Sequence, residues 1–479
     1  MKLFKLNILC FIFFWMTPLY AQNAPHLLRF NSAELSPIQQ YQIVSNSIWA
    51  QDVVINSDLL YNSDSLVLSL DGETVIVRCT HREQKKWEDY IYCIYESNTA
   101  FMIISKRGNN IQGTITAFSG VYNIETLGDE SYVIAKINLD DVPETAVPIE
   151  AVDTLTDIWR SSEINTQIED SELPVLRVLV LYTEQALMLA SDMVNKVYMD
   201  LRNGNSSFVN SQINARVELA YIGSIADSED GEDFDSLLEN FRKNGDGFAD
   251  EVHTLRERYS ADLCVLLVYN NEYCGLGYVR SSQNTAFSVV HASSGCSNKF
   301  SFIHEIGHNI GCRHDTLNSP INSQNQYNHG YVHYTSSSID SWRTMMAYGS
   351  ACGGEYNCRR ILHWSNPNIM YNGYATGDVT YCDNARVWNE RAAIVNNFRM
   401  NPSTLVVDSI DNHFYADYQC WRAIDNINLG DGYIVNTNQI VEAFAPEVTL
   451  GPNTEIKLGA TFNACAKSEE ENVLYNNPE

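Results

Sequence analysis

The sequence has few basic residues and few prolines for its length. Its 479 residues include 31 Lys and Arg against 59 Asp and Glu, so the formal net charge is −28. Such an acidic surface repels phosphate groups, which argues against nucleic acid as a partner and against docking on anionic membranes. Only 12 prolines stand against 27 tyrosines, a composition that favours β-rich globular domains over linkers or stalks.

Long apolar runs are also missing. No run reaches the about 20 residues that a membrane-spanning helix needs, so we expect no membrane span. A shorter run from Ile8 to Met16 follows Lys2 and Lys5 and precedes Leu19-Tyr20-Ala21, which has the pattern of a cleavage site. Residues 1–21 therefore predict a secretory signal peptide, and the protein is expected to be secreted and extracellular.

No two cysteines have the C-x-x-C spacing, which argues against a zinc ribbon or a thioredoxin-type redox site. Of the 12 cysteines, all except Cys10 follow the signal peptide, as suits disulfides in an oxidising compartment. An odd number of cysteines therefore remains after the signal peptide, so at least one thiol is unpaired. Cys264, which lies in an apolar run, is our candidate for this free thiol. The candidate bridges are Cys274–Cys296 and Cys352–Cys358, from their proximity in sequence, followed by Cys79–Cys93, Cys420–Cys465 and Cys312–Cys382.

The apolar pattern divides the rest of the chain into three segments. Residues 22–173 carry short alternating runs that predict antiparallel β-structure, ending in an acidic linker from Val142 to Glu172. Residues 174–400 alternate between strands and helices, which indicates an α/β layer with a mostly parallel sheet. Residues 404–479 return to short strands and predict a small β-rich C-terminal domain.

The chemically informative pattern is a full match to H-E-x-x-H-x-x-G-x-x-H that begins at His304. His304 and His308 are four residues apart on a predicted helix, so both imidazoles point from one face toward a common metal. Gly311 can end the helix with a positive φ, and His314 then supplies a third ligand. Three neutral imidazoles with an open fourth position are a ligand set for catalytic zinc, and Glu305 lies where it can reach a water on that metal.

The run R-T-M-M-A-Y-G over residues 343–349 resembles the Met-turn of the metzincin metalloendopeptidases. By this resemblance Met346 packs beneath the three histidines. Asp315, directly after the third histidine, resembles the adamalysin and reprolysin version of the motif. Tyr348 stands where astacins and serralysins carry a tyrosine near the metal. The resemblance thus implies structural roles for Gly311, Asp315 and Met346 and a catalytic role for Tyr348.

Further stretches at residues 327–331, 360–367 and 383–387 resemble bacterial reprolysin-like enzymes, with peptidyl-Asp metalloendopeptidases as the nearest group. The resemblance covers residues 174–400 and implies an α/β metzincin-like zincin domain with a twisted, mostly parallel sheet and an active-site helix. It also implies that Gly275-Leu-Gly-Tyr278 forms an antiparallel edge strand that binds substrate by strand addition. Residues 22–173 resemble the β-rich propeptides of this group more loosely. Cys312 in the site loop departs from the family pattern.

Several other residues could bind metal but fit the pattern less well. His329, His333 and His363 have no ligand spacing with the site, so we expect them to pack or to line the cleft. The acidic run Asp227–Asp235 lacks the spacing of an EF-hand loop. A solvated turn is therefore the favoured interpretation of this run, with Ca²⁺ binding as the alternative.

The sequence thus predicts a secreted zinc-dependent endopeptidase that is made as a latent precursor and acts on extracellular proteins or peptides. One Zn²⁺ activates water and polarises the scissile carbonyl, Glu305 is the general base, and Tyr348 donates a hydrogen bond to the oxyanion. A secreted zinc-binding adhesin or scaffold without proteolytic activity is the alternative, and such a protein would have no use for Glu305. Similarity to peptidyl-Asp enzymes suggests cleavage beside acidic residues, which this acidic chain would repel unless its cleft is locally basic. The sequence leaves the oligomeric state open.

Overall fold

The computed structural model describes residues 24–30, 47–85, 89–97, 99–128, 131–151, 173–319, 321, 326–338, 340–354, 358–413 and 416–465. The predicted signal peptide lies outside these residues, as does most of the acidic stretch that we expected to be a linker. Within the described ranges, no helix is both long and apolar enough to cross a bilayer.

The N-terminal segment forms a sheet in which all neighbouring strands are antiparallel, in the order β1-β2-β9-β8-β7-β6-β5-β4-β3. Its strands, numbered along the chain, are β1 Leu28–Phe30, β2 Ser47–Ile55, β3 Ser65–Leu70, β4 Glu73–Lys85, β5 Tyr90–Glu96, β6 Phe101–Arg107, β7 Asn110–Ala117, β8 Gly120–Gly128 and β9 Ser131–Ile137. Helix α1, Asp58–Asn62, packs beside β5.

Alternate residues of β5 enter two different cores, as the period-two geometry of a strand requires. Ile91, Cys93 and Tyr95 belong to the core of the N-terminal sheet itself. Tyr90 and Tyr92 belong to the core of the following domain. At β5, one face of the N-terminal sheet is therefore packed against the following domain.

A second sheet runs through the remainder of the chain in the order β10-β14-β15-β13-β11-β12-β22-β25-β28. Strand β14 is antiparallel to β15, and β22 is antiparallel to β12. The other neighbouring pairs are parallel. The strands are β10 Ile149–Glu150, β11 Val175–Tyr182, β12 Arg216–Ser224, β13 Leu263–Val268, β14 Gly275–Val279, β15 Phe287–His291, β22 Tyr418–Arg422, β25 Ile440–Phe444 and β28 Thr461–Cys465.

Short strands and six further helices complete the described structure. The short strands are β16 Val332–His333, β17 Trp342–Arg343, β18 Arg359–Arg360, β19 Met370–Tyr371, β20 Tyr374–Ala375, β21 Thr404–Val407, β23 Asn426–Leu429, β24 Ile434–Val435, β26 Glu447–Leu450 and β27 Glu455–Ile456. The helices are α2 Met193–Asn210, α3 Phe234–Arg242, α4 Glu251–Arg258, α5 Ser294–Asn298, α6 Ser301–Ile310 and α7 Asn384–Val395.

The predicted class, mixed α/β with a large β content, is confirmed at that level. Over the whole described chain most strand pairs are antiparallel, because the N-terminal sheet is antiparallel throughout. The C-terminal strands β22, β25 and β28 continue the second sheet beyond β12. Helix α3 was not predicted, because the acidic run that precedes it was expected to be a solvated turn. Asp233 caps the helix by accepting a hydrogen bond from the backbone N–H of Ser236.

The structure describes the first ten residues of the stretch that we expected to be a linker. Residues 142–151 include β10, which pairs in parallel with β14. Pro143 and Pro148 flank the segment and keep it extended, because proline and the residue before it are disfavoured in helices.

The disulfide predictions are partly correct. Cys274–Cys296 and Cys352–Cys358 are bonded, and Cys264 is a buried free thiol as expected. The other three proposed bridges are wrong: Cys79, Cys93, Cys312, Cys382 and Cys420 are free as well.

In two of these three pairs, the cysteines do not lie opposite each other on neighbouring strands. Cys79 lies opposite Tyr95, and Cys93 lies opposite Arg82. The Cys420 thiol donates to Glu218, and β25 separates its strand from the one that carries Cys465.

Candidate metal centre and cleft

Helix α6 carries the first two histidines of the motif and is buried over all of its 10 residues. Gly311 ends the helix with a φ of 126°, a conformation that residues with a Cβ rarely adopt. This turn brings His314 back beside the helix. A helix this deeply buried holds its side chains in fixed positions, which a metal site requires.

The three histidines converge on one point. Nε2 of His314 lies 3.0 Å from Nε2 of His308 and 3.1 Å from Nε2 of His304. All three side chains are fully buried. Among the described residues, this is the one cluster whose donor atoms could share a metal ion. Zinc–nitrogen bonds of about 2.0–2.1 Å would place tetrahedral ligands roughly 3.3–3.4 Å apart, so the spacing fits a zinc ion.

The second nitrogens of two rings establish which atoms are available to a metal. Nδ1 of His304 lies 3.0 Å from the carbonyl oxygen of Met345, and Nδ1 of His308 lies 2.8 Å from that of Cys312. Because a carbonyl can only accept, each Nδ1 carries the proton and each neutral ring presents an Nε2 lone pair. Lone pairs that point at one another repel unless a cation lies between them. The donor set therefore fits a metal ion.

Burial keeps these rings neutral. Desolvation lowers the pKa of His308 to about 3 and lowers the pKa of His304 and His314 well below the ordinary range. Neutral imidazole is the form that binds zinc.

Glu305 faces strand β14 and has no hydrogen-bond partner among the described residues for either carboxylate oxygen. Its closest neighbours are glycines: a methyl group on Gly275 would lie 2.6 Å from Cγ and Oε1 of Glu305, and one on Gly277 would lie 3.2 Å from Oε2. Burial raises the pKa of the carboxyl well above its ordinary value, and the nearby charge of Arg360 opposes that rise. A buried, unpaired carboxylate next to a metal site is a candidate for proton transfer.

Met346 and Asp315, which were expected to have structural roles, and Tyr348, which was expected to be catalytic, surround the triad. The sulfur of Met346 lies against the backbone of α6, 3.0 Å from where a methyl group on Gly307 would be. Oδ2 of Asp315 accepts a hydrogen bond of 3.0 Å from the backbone N–H of Tyr348. The Tyr348 ring stands 4.0 Å from the His314 ring, measured between centroids. The Met-turn and the zinc motif are thus joined into one unit.

Residues that the sequence did not single out fill the cleft. Thr145 Oγ1 lies 3.1 Å from Nε2 of His304, and the Tyr348 hydroxyl donates to the backbone oxygen of Thr145. On either side, Glu144 accepts from the N–H of Cys274 and Ala146 donates to the oxygen of Gly275. Residues 142–150, which we call the cleft segment, therefore run beside β14 and across the triad.

Two glutamates of the cleft segment form ionic contacts. Oε2 of Glu144 lies 3.6 Å from Arg360 and 3.9 Å from Lys299, and its Oε1 accepts from the backbone N–H of Gly349. Farther along the segment, Glu150 pairs with Arg313. The cleft is therefore basic although the protein as a whole is strongly acidic.

The remaining candidates lie outside the metal centre. His333 stacks on Trp342 and the buried His363 packs beside Tyr371, while His329 is held by a backbone carbonyl. The calcium alternative is not supported. In the acidic run, Asp227 accepts from the backbone of Ala249, Glu229 from Thr183 and Tyr269, and Asp233 caps α3.

Comparison with known proteins agrees with this geometry. The sequence model Reprolysin_5 of metallo-peptidase family M12 matches residues 174–360. A peptidyl-Asp metalloendopeptidase of Xanthomonas campestris is 30% identical over 405 residues, which cover 80% of this chain and 94% of the relative. One from Stenotrophomonas maltophilia is 32% identical over 306 residues, 62% of this chain and 70% of the relative. Metalloproteinase-II from Bacteroides fragilis is 11% identical, with a TM-score of 0.36 over 54% of this chain and 85% of its own.

The buried histidine triad, the family model and the two peptidyl-Asp relatives define a zinc metalloendopeptidase, a hydrolase of peptide bonds in proteins or peptides. Within that class, the chain belongs to the family of the peptidyl-Asp metalloendopeptidases. The alternative of a zinc-binding scaffold without enzymatic activity is therefore wrong.

Proposed function

We propose that His304, His308 and His314 hold one catalytic zinc and that Glu305 is the general base, in an endopeptidase secreted as a latent precursor. The observation that carries the proposal is the convergence of three Nε2 lone pairs beside an unpaired, buried carboxylate. The family resemblance alone would not assign these roles to particular side chains.

Glu305 and Tyr348 have separate roles in amide hydrolysis. When bound, zinc would polarise the scissile carbonyl and make the attacking water more acidic. Glu305 takes the proton from that water and passes it to the leaving amine. Tyr348 is kept protonated by burial, which raises its pKa, so it can donate to the carbonyl oxygen as negative charge develops there. Its hydroxyl already donates to a backbone carbonyl, that of Thr145.

Strand β14 is the proposed substrate-binding strand. One side of it pairs with β15, and the other side bonds to the cleft segment. A peptide substrate would replace that segment and form main-chain hydrogen bonds with the same strand. Glycine at positions 275 and 277 leaves room for Glu305 to reach past the strand to the reacting bond.

Latency follows from the occupied cleft. Because the cleft segment lies across the triad, substrate cannot bind until the segment leaves. The N-terminal sheet anchors it through contacts with α2, where Arg107 forms two hydrogen bonds with Asp192, Arg202 pairs with Glu83, and Tyr92 donates to Asn203. The rings of Tyr90 and Tyr92 add buried apolar contacts to this interface.

We further propose the finer architecture: residues 1–21 as a signal peptide, 22–173 as a propeptide with its linker, 174–400 as a metzincin-like domain and 404–479 as a C-terminal domain. The run β12-β11-β13-β15 supplies the parallel sheet of that domain, and α6 is its active-site helix. The two disulfides favour an oxidising, extracellular destination.

Metal analysis tests the proposal. The processed enzyme should contain about one zinc per chain, lose peptide cleavage with phenanthroline, and recover part of it when zinc is added back. Enzyme without zinc that cleaves peptides equally well with and without the chelator would contradict the proposal.

A further inference from the structure

Three tyrosines, one from each of the three segments of the chain, pack against one another in the core. The ring of Tyr90 on β5 lies 5.2 Å from that of Tyr198 on α2, measured between centroids. The Tyr198 ring in turn lies 5.7 Å from that of Tyr418 on β22. Both contacts are edge-to-face, and all three residues are at most 4% exposed. This row, which we call the tyrosine junction, joins the N-terminal sheet, residues 174–400 and the C-terminal strands in one core.

An ion pair beside the tyrosine junction links the N-terminal sheet directly to the C-terminal strands. Nζ of Lys85, the last residue of β4, lies 3.7 Å from Oε1 of Glu442 on β25, and the two side chains are 6% and 5% exposed. The Tyr418 hydroxyl donates to the other carboxylate oxygen of Glu442. The Lys85 ammonium also lies 4.6 Å from the centre of the Tyr198 ring. The C-terminal strands are therefore part of the surface that the N-terminal sheet contacts.

This surface does not depend on the N-terminal sheet for its own connections. Strand β22 pairs with β12, and Arg422 at the end of β22 donates to both carboxylate oxygens of Glu218 on β12. Helix α2 and strand β12 also contact each other. All of these elements follow the expected processing region in sequence. Helix α2, β22 and β25 therefore stay together when the N-terminal segment is cut from them.

The cleft segment lies on the N-terminal side of the expected cut. It begins at Val142, shortly after β9 ends at Ile137, and processing is expected between about residues 150 and 176. A cut in that region leaves the cleft segment attached to the N-terminal sheet and breaks none of the contacts described above. The sheet loses only the effective concentration that a linker supplies, which is typically in the millimolar range. Buried aromatic rings contribute most to the affinity of interfaces, and desolvated ion pairs chiefly slow dissociation.

We propose that α2, β22 and β25 retain the N-terminal sheet after the linker is cut, so that the cut protein is still latent. Activation then needs a second event, which is the release or the degradation of the N-terminal segment. The C-terminal strands thereby control when the cleft opens. This inference rests on the latency described under the proposed function, and it adds that a cut in the linker does not end that latency.

Cutting the full chain at a chosen place tests the proposal. A recognition sequence for an unrelated, specific protease is placed between residues 152 and 172, and the purified protein is cut there. In a chain that also carries Glu305→Gln, and so cannot degrade its own fragment, the N-terminal fragment should co-elute with the rest during gel filtration. In the chain that keeps Glu305, peptide cleavage measured directly after the cut should stay near that of the uncut precursor. Separation of the fragment on cutting would overturn the proposal.

Variants of the ion pair test the role of the C-terminal strands. In cut and diluted protein, Lys85→Met should make the fragment dissociate about tenfold faster or more, because truncating one partner of a buried ion pair mainly raises the dissociation rate. Glu442→Gln keeps the shape of its side chain and should have the same effect from the side of β25. Lys136→Met is the matched control, because Lys136 pairs with Asp71 within the N-terminal sheet. Dissociation at the wild-type rate in both Lys85→Met and Glu442→Gln would overturn the role of the C-terminal strands.

The outcomes separate this inference from the function beneath it. If the fragment leaves on cutting and Glu305-dependent peptide cleavage begins, retention is overturned, and both the latency and the endopeptidase mechanism stand. If the cut enzyme is fully active while the fragment stays bound, latency through the cleft segment is overturned together with this inference.

Discussion

The hydroxyl oxygen of Thr145 lies 3.1 Å from Nε2 of His304, at the point where the three imidazoles of the triad converge. The two residues are 159 positions apart in sequence. In the proposed mechanism, Thr145 occupies the space that the reacting group of a substrate would need. The proposal therefore places a catalytic site and the segment that blocks it in the same molecule.

Latency should therefore end when the cleft segment is removed. The secreted active form should have a new N-terminus between about residues 150 and 176, which N-terminal sequencing would detect. Replacing Ala146 by proline should speed activation, because it deletes the N–H that bonds to Gly275 at 2.7 Å. Val147→Ala, at an exposed position of the same segment, is the control. Full activity in a chain that still begins at Gln22 would refute the latency proposal.

The triad should require all three of its imidazoles. His308→Ala removes one protein ligand, so we expect both zinc content and peptide cleavage to fall to near background. His253→Ala is the matched control, since that histidine lies on α4 and outside the triad. Metal analysis and cleavage rates are measured on the same preparations. Retention of a full zinc equivalent by His308→Ala would remove that residue from the ligand set.

Strand β14 should be sensitive to a single methyl group. Gly275→Ala places a Cβ 2.6 Å from the Glu305 carboxylate, so the carboxylate must move. A displacement of about 1 Å in a catalytic group can cost roughly 10²-fold in rate, and we expect a loss of that order with zinc retained. Gly277→Ala should cost less, because its closest approach to Glu305 is 3.2 Å. Equal rates for wild type and Gly275→Ala would show that Glu305 is not confined by the strand.

Tyr348 should contribute to catalysis without contributing to metal binding. Tyr348→Phe deletes one hydrogen-bond donor to the developing oxyanion, so cleavage should fall by about 10²-fold or less. Zinc content should not change, because the phenol is not a member of the triad. If the variant cleaves peptides as fast as wild type, Tyr348 has no catalytic role and serves only to pack against the His314 ring.

The sequence could predict those parts of the site whose geometry is local. His304 and His308 share a face because a helix repeats every 3.6 residues, and Gly311 provides the turn that brings in His314. The apolar run around Cys264, which was noted in the sequence, forms the buried strand β13. Glu305 was placed beside the triad by its position in the motif alone.

The parts that escaped prediction depend on contacts between residues far apart in the chain. Lys299 and Arg360 lie within ion-pair distance of Glu144, and no periodic pattern of the sequence connects these three positions. Besides the backbone hydrogen bonds of Glu144 and Ala146, the cleft segment pairs with β14 through the two residues of β10, too short a strand to leave an alternating pattern. The Cys79–Cys93 prediction is wrong because the strand register sets Cys79 opposite Tyr95 and Cys93 opposite Arg82, and the alternating pattern of the strands does not give the register.

The most direct test of the central claim is a comparison of zinc content and peptide cleavage between wild type and Glu305→Gln. The substitution keeps the shape of the side chain but cannot take a proton from water. The account predicts about one zinc per chain in both proteins and a loss in the variant of at least the roughly 10²–10⁴-fold that general acid–base catalysis contributes. Cleavage by zinc-loaded Glu305→Gln at near the wild-type rate would contradict the mechanism, whatever the metal content.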